Sequence, residues 1–222
     1  MNKRTIVLVL ATAIVAVVAM CQSVAAAGVL ESLDDPALGP GSITRDPISG
    51  LDWLDWSLST NRSVSQVIVQ TGVGGPFEGF RYATASEVID LFLHAGFSEV
   101  DPYPGPKAID YGAAVELVSL LGVTNTSSST TQSRALLGPG NYALPGYTVE
   151  VLTYYNPTAL TGAAGANGGF VGPVGVSQNA NPSRGHALVR EVPEPTTAVY
   201  LLAAALCLAL WRRSLAQLIR TS

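Results

Sequence analysis

Two uninterrupted apolar runs bracket the chain, residues 6–20 and 198–211, and between them hydrophobic positions come in short patterned groups. The extended run Ile43-Thr44-Arg45-Asp46, the turn Pro47-Ile48-Ser49-Gly50 and the second run Leu51-Asp52-Trp53-Leu54 predict a β-hairpin, with Leu51 and Trp53 on the core face. Ser63 with Gln66 forms a capping-box pattern, and Val64, Val67 and Ile68 fall on one side of the short helix that it opens. Residues 80–83 read as a strand after a glycine turn at 72–75. Thr84 with Glu87 repeats the capping box, and Val88, Leu91, Phe92 and Ala95 are spaced i, i+3, i+4, i+7 along an amphipathic helix that Gly96 closes.

The second half is less regular. Residues 102–106 form a rigid proline loop, and residues 108–121 predict a helix with Tyr111, Val115, Val118 and Leu121 on one face and Gly122 ending it. Residues 124–133 are almost entirely Ser, Thr, Asn and Gln and predict a mobile surface loop. Residues 147–155 alternate as a strand does. Residues 161–185, rich in Gly, Ala and Asn, predict no element beyond a short strand at 170–176, and Ala187-Leu188-Val189-Arg190 closes the pattern. Residues 28–40 read as a loose entry segment with one short edge strand. The sum is an α+β fold: a single mixed domain over residues 28–191, with a short antiparallel sheet and about three helices.

The terminal runs have a different character. Lys3-Arg4, the apolar stretch and Ala25-Ala26-Ala27 follow the order of a secretory signal peptide over residues 1–27, with cleavage after Ala27 or, alternatively, Ala25. Cys21 is a poor lipoprotein site, because Met20 stands where a small residue is wanted. The C-terminal run predicts a short transmembrane helix over about residues 197–211, at the lower limit of what crosses a bilayer. Arg212-Arg213 act as its membrane stop on the cytoplasmic side and leave the preceding domain outside.

Removing both ends changes the composition. The mean hydropathy of +0.33 owes much to the two terminal runs. Residues 28–192 hold seven Lys and Arg against fifteen Asp and Glu, a net charge of −8 where the whole chain has −4. Such a surface disfavours nucleic acid and anionic membranes. Both cysteines, Cys21 and Cys207, lie in the terminal runs, so the domain between them has neither a disulfide nor a thiol.

Val192-Pro193-Glu194-Pro195-Thr196, followed by the apolar run and the arginine pair, resembles the PEP-CTERM sorting signal of Gram-negative bacteria, here over residues 192–222. The resemblance implies recognition by an exosortase, a membrane-embedded cysteine peptidase that cuts near the motif. It also implies a route: signal peptidase acts first, the precursor rests transiently in the inner membrane with its domain in the periplasm, and the product reaches the cell surface or the medium. The tail 214–222 runs longer than is usual in the family. A second resemblance rests on Ile43-Thr44-Arg45-Asp46, Gly50-Leu51-Asp52-Trp53-Leu54-Asp55, Gly79-Phe80-Arg81-Tyr82-Ala83-Thr84-Ala85-Ser86-Glu87-Val88 and Ala187-Leu188-Val189-Arg190, in this order. These are similar to a bacterial domain of unknown function grouped with C-type-lectin-like folds, whose Trp-Arg-Leu-Pro-Thr turn is here Phe80-Arg81-Tyr82-Ala83-Thr84. The sugar-binding calcium motifs of true C-type lectins are missing, so a shared fold carries no lectin activity with it.

Catalytic signals are few. There is no paired-histidine metal motif, nucleophile elbow or phosphate-cradling loop. No catalytic residue, metal ligand or cofactor is assigned. His94 reads as a helix C-terminal residue favoured by the dipole, and His186 as a loop histidine. Asp46, Asp52 and Asp55 are close in sequence, but strand geometry turns Asp52 and Asp55 to opposite faces, against a shared cation. Trp53 reads as core. Trp56 and Arg81 are the candidate ligand-facing residues, with Arg81 also expected to pair with Glu87 or Asp52. Asn61-Arg62-Ser63 and Asn125-Thr126-Ser127 match glycosylation acceptors, which read as chance matches given the bacterial source that the sorting-signal resemblance implies. The sequence thus favours an exported, non-enzymatic envelope or matrix protein, structural or adhesive in extracellular polysaccharide. The alternative is a carbohydrate-binding or carbohydrate-active domain sent by the same route.

Overall fold

The hairpin pattern at the start of the domain builds a sheet whose strand Leu51–Leu54 is covered on both faces, while the edges of the sheet are open. In the computed structural model, which describes residues 30–100, 105–138, 147–173 and 180–192, β1 (Glu31–Asp35) pairs antiparallel with β2 (Gly39–Asp46), and β2 with β3 (Leu51–Leu54). The expected hairpin is therefore present, in the register Ile43↔Leu54 and Arg45↔Asp52. Leu51 and Trp53 face the main core, and Leu54 faces a smaller second core. All four residues of β3 are buried. A 3-10 turn, Trp56–Ser59, follows, capped by the Asp55 carboxylate, which accepts from the Ser57 backbone N–H at 2.7 Å.

Both capping boxes close reciprocally. α1 (Val64–Gln70) starts at Ser63, and α2 (Ala85–His94) starts at Thr84 directly after β4 (Arg81–Tyr82). α2 buries Val88, Leu91 and Phe92, as its spacing requires. α1 differs from expectation, because Val64 and Val67 are buried while Ile68 is half exposed. In so short a helix only the i, i+3 pair turns toward the core.

α3 (Tyr111–Leu121) lies on the second sheet, which has the strand order β5 (Asn125–Thr126), β6 (Thr131–Leu136), β7 (Tyr147–Asn156), β8 (Thr161–Pro173). Its buried stripe is Ala114, Leu117, Val118 and Leu121, which excludes the expected Tyr111 and Val115. The helix rotates its small residue onto β8. A Cβ on Gly162 would stand 2.5 Å from the Ala114 Cβ, so only a glycine lets the two elements approach this closely.

Two further expectations are corrected. The Ser/Thr run is a hairpin, β5–β6, with Ser133 fully buried and its hydroxyl donating to the Gly122 carbonyl. The ladder satisfies the backbone and local carbonyls satisfy the hydroxyls, so a polar sequence can pack. The Gly/Ala segment supplies the thirteen-residue strand β8, paired along β7. At Gly162 a small residue is what the helix above it requires, and periodicity does not report it.

β9 (Gly185–His186) pairs parallel with β6, and β10 (Leu188–Glu191) enters the first sheet between β3 and β4, giving the order β1-β2-β3-β10-β4. The result is a single α+β domain with three helices and two small, mainly antiparallel sheets. Its main core packs Trp53, Trp56, Leu91, Phe92, Leu117, Val151 and Val189 between the sheets and the helices α2 and α3. Compact units divide after Arg190, the second being Glu191–Ser222. Among the described residues no helix is long and apolar enough to cross a membrane. The expected signal helix and the helix at about 197–211 lie outside them.

Candidate functional site

Of the sorting motif, Val192 alone falls among the described residues, one position past β10. Pro193, Glu194, Pro195, Thr196, Arg212, Arg213, Ala25 and Ala27 lie outside them. Trp56 is corrected as a ligand-facing residue: its side chain has no exposure. The ring belongs to the main core, and β9 packs so tightly on the backbone of the 3-10 turn that a Cβ on Gly185 would stand 1.9 Å from the Trp56 carbonyl oxygen. Arg81 is 46% exposed and makes the expected pair with Glu87, at 2.7 and 3.0 Å, across the strand-to-helix turn. This guanidinium, with the capping hydrogen bonds from Thr84, holds the Glu87 carboxyl below its ordinary range.

The three aspartates go to three different partners. Asp46 accepts from the Ile48 backbone and the Ser49 hydroxyl and pairs with His94 Nδ1 at 2.7 Å, and these bonds lower its pKa against the desolvation that would raise it. Asp52 sits between Arg45, at 2.8 Å, and Arg190, at 3.4 Å. Arg190 continues the chain of charges to Asp35 at 3.0 Å and lies 4.8 Å from the Phe80 ring centroid. Asp55 caps the 3-10 turn, and burial raises its pKa. Among the described residues no group of three or more His, Cys, Asp or Glu is placed to hold a metal ion. On the second sheet, Glu150 takes Arg134 on one oxygen and has Arg184 Nε 2.9 Å from the other, the latter an ion pair without hydrogen-bond alignment.

His186 is corrected from a loop position to a buried strand residue. Its Nε2 donates to the Arg62 carbonyl at 3.0 Å, and its Nδ1 accepts from the Tyr82 hydroxyl at 2.7 Å. A carbonyl can only accept, so Nε2 carries the proton and Nδ1 the lone pair. Ser59, also buried, reaches the backbone N–H of His186 at 2.8 Å and does not touch the ring. Desolvation lowers the His186 pKa to about 4 and raises that of Tyr82. A neutral imidazole with both nitrogens engaged and a serine on its backbone fixes structure. It has no free position for a substrate proton.

The exposed apolar groups that sequence reasoning missed include two sets, beside the scattered Ile48, Leu93 and Val123. On α1 and the turn after it, Ile68, Val69 and Val73 are solvent-facing. At the β7–β8 turn, Leu160 is 56% exposed at φ +52, and Ile109 is 78% exposed on the turn before α3. Beside them Tyr111 and Tyr155 stand edge to face, with centroids 6.0 Å apart. Asn156-Pro157 marks a turn in the sequence, but no pattern pairs residue 109 with residue 160. No family model matches the chain, and no curated protein and no solved structure matches it either.

Proposed function

We propose that the chain is an exported, non-enzymatic component of a Gram-negative cell envelope or extracellular matrix, delivered by an exosortase acting on its C-terminal signal. The carrying observation is the order Val192-Pro193-Glu194-Pro195-Thr196, an apolar run, then Arg212-Arg213. The described fold supports this reading, because its last strand ends at Glu191 and a cut at the motif leaves the first sheet whole. Proline disfavours continuation of a strand or helix, and a segment without regular structure is what a peptidase binds. Both histidines are held in structural contacts, in line with a non-enzymatic role. The C-type-lectin-like relationship is part of the same reading. It is supported by a Gly-Leu-Asp-Trp strand, a strand-to-helix turn through Arg81 and Thr84, and a Val189-Arg190 strand closing between them.

Mass spectrometry of the protein from surface and medium fractions tests the reading. The expected product begins at Gly28 or Ala26 and lacks the residues after about Thr196. Recovery of Ser222 alone as the C-terminus, in a host with active exosortase, leaves a plain membrane anchor instead. Altering Pro193 and Pro195 should trap the precursor in the inner membrane.

A further inference from the structure

Two turns at one end of the domain are tied together and display apolar side chains. Lys107 and Gly162 exchange backbone hydrogen bonds of 2.8 and 2.9 Å, an antiparallel bridge, and two residues outward on either side are Ile109 and Leu160. Leu160 occupies the left-handed region, where a bulky side chain is strained, and it puts that side chain into water. A glycine would relieve the strain and expose nothing. Strain kept at an exposed position marks a place where the side chain itself is needed. The turn is rigid as well, because the Asn156 side-chain oxygen accepts from the backbone N–H groups of Thr158 and Ala159, both at 2.9 Å.

The surroundings limit what can bind. Tyr111 and Tyr155 add two partly exposed rings fixed at 85° to each other. Residues 156–161 carry no charge, and Lys107 is paired with Glu99 at 2.6 Å. Thr158 and Thr161 flank Leu160 in the sequence of the turn, and the two tyrosines carry phenols. Sugar rings offer apolar C–H faces edged by hydroxyls, which is the complement of this arrangement. A polyanionic chain would meet a domain of net charge −8 whose cation at this end, Lys107, is already paired.

We propose that the end of the domain formed by Tyr111, Tyr155, Ile109 and Leu160 is a binding surface for a neutral polysaccharide. It rests on the reading of the protein as a matrix component and supplies the contact by which the domain holds the polymer. The sugar stacks on the tyrosines and against Leu160, and the hydroxyls of Thr158 and Thr161 take its rim.

The test is affinity electrophoresis of the full chain in mild detergent, in native gels containing dextran, galactomannan, xyloglucan or, as a polyanion, alginate. Retardation by at least one neutral polymer, with affinity falling at least tenfold in Leu160→Gly and in Tyr155→Ala, supports the proposal. Leu160→Gly removes backbone strain, so its loss of binding is not a loss of folding. No retardation by any of the neutral polymers overturns it, as does retardation that Leu160→Gly leaves unchanged or that only alginate produces. Flotation with phosphatidylcholine vesicles, or self-association by sedimentation, abolished by Leu160→Gly in the absence of polymer binding, assigns the surface to a membrane or a second copy and also overturns it. Processing at the C-terminus is read separately by mass spectrometry, so failure here leaves the export reading standing.

Discussion

The Tyr82 hydroxyl donates to Nδ1 of His186 at 2.7 Å, and the two rings stand edge to face with centroids 5.7 Å apart. The contact joins β4 to β9, and through the other ring nitrogen it reaches the Arg62 carbonyl before α1. Three segments far apart in sequence are thus fastened on one imidazole.

Acid should loosen this fastening. The folded-state pKa of about 4 is below the ordinary value of 6.5, so between these limits the unfolded chain binds a proton that the folded chain refuses. Stability therefore falls as pH drops from about 6.5 to about 4, by about 3 kcal/mol in all. Urea melts across this range measure the loss. Nitrogen NMR of the ring should show a neutral Nε2–H tautomer at pH 5.5, and a ring titrating near 6.5 would refute the assignment. Asp35, Asp46 and Glu87, all held below their ordinary values, lose their contributions in a separate window, as pH falls below about 4.

Tyr82→Phe keeps the ring and removes the donor. His186 Nδ1 is then buried without a partner, at a cost of about 1 to 3 kcal/mol. Chemical denaturation measures it, and an unchanged midpoint would mean that solvent reaches the imidazole.

Leu91 has no exposure and lies in the centre of the main core. Leu91→Ala should cost about 2 to 5 kcal/mol, the range for buried leucine truncations. A loss under about 1 kcal/mol in thermal or urea melts would contradict this packing.

The two carboxylate–arginine sites should respond unequally. Arg81 is 46% exposed, so Arg81→Gln should cost less than about 1 kcal/mol. Asp52 is 2% exposed and anchors both Arg45 and Arg190, so Asp52→Ala should cost about 3 kcal/mol. Equal effects in parallel melts would argue against the burial difference.

Gly185→Ala should be more damaging than its size suggests. The new methyl meets the Trp56 carbonyl, which is backbone and cannot turn aside. Loss of cooperative unfolding, or a loss above about 2 kcal/mol, is expected from overpacking of this kind. A neutral result would mean that β9 is not seated on the 3-10 turn.

Local chemistry made much of the fold legible in the sequence. The two capping boxes, the 43–54 hairpin, the α2 stripe and the β7 strand depend on residues within a few positions of one another, and each is found where its pattern puts it, although Val149 to Thr153 are all buried and show no inside–outside alternation. The Arg81–Glu87 pair is legible for the same reason, since the turn fixes the distance between its members. The export reading also belongs to the sequence, because it rests on the order of a motif and not on a packed geometry. Tertiary structure decided the rest. Whether Trp56 faces a ligand or the core depends on how its 3-10 turn is seated, and Gly185, which packs on the backbone of that turn, is 129 positions away. A run of serines and threonines becomes a strand by pairing with β7, and a Gly/Ala segment becomes β8 by pairing along the other edge of β7, with Gly162 letting α3 approach it closely. The joining of Ile109 with Leu160 at one end of the domain likewise depends on a bridge between Lys107 and Gly162, residues that carry no local signal for each other. Sequence fixes the conformational preference of each segment, while burial depends on which segments meet.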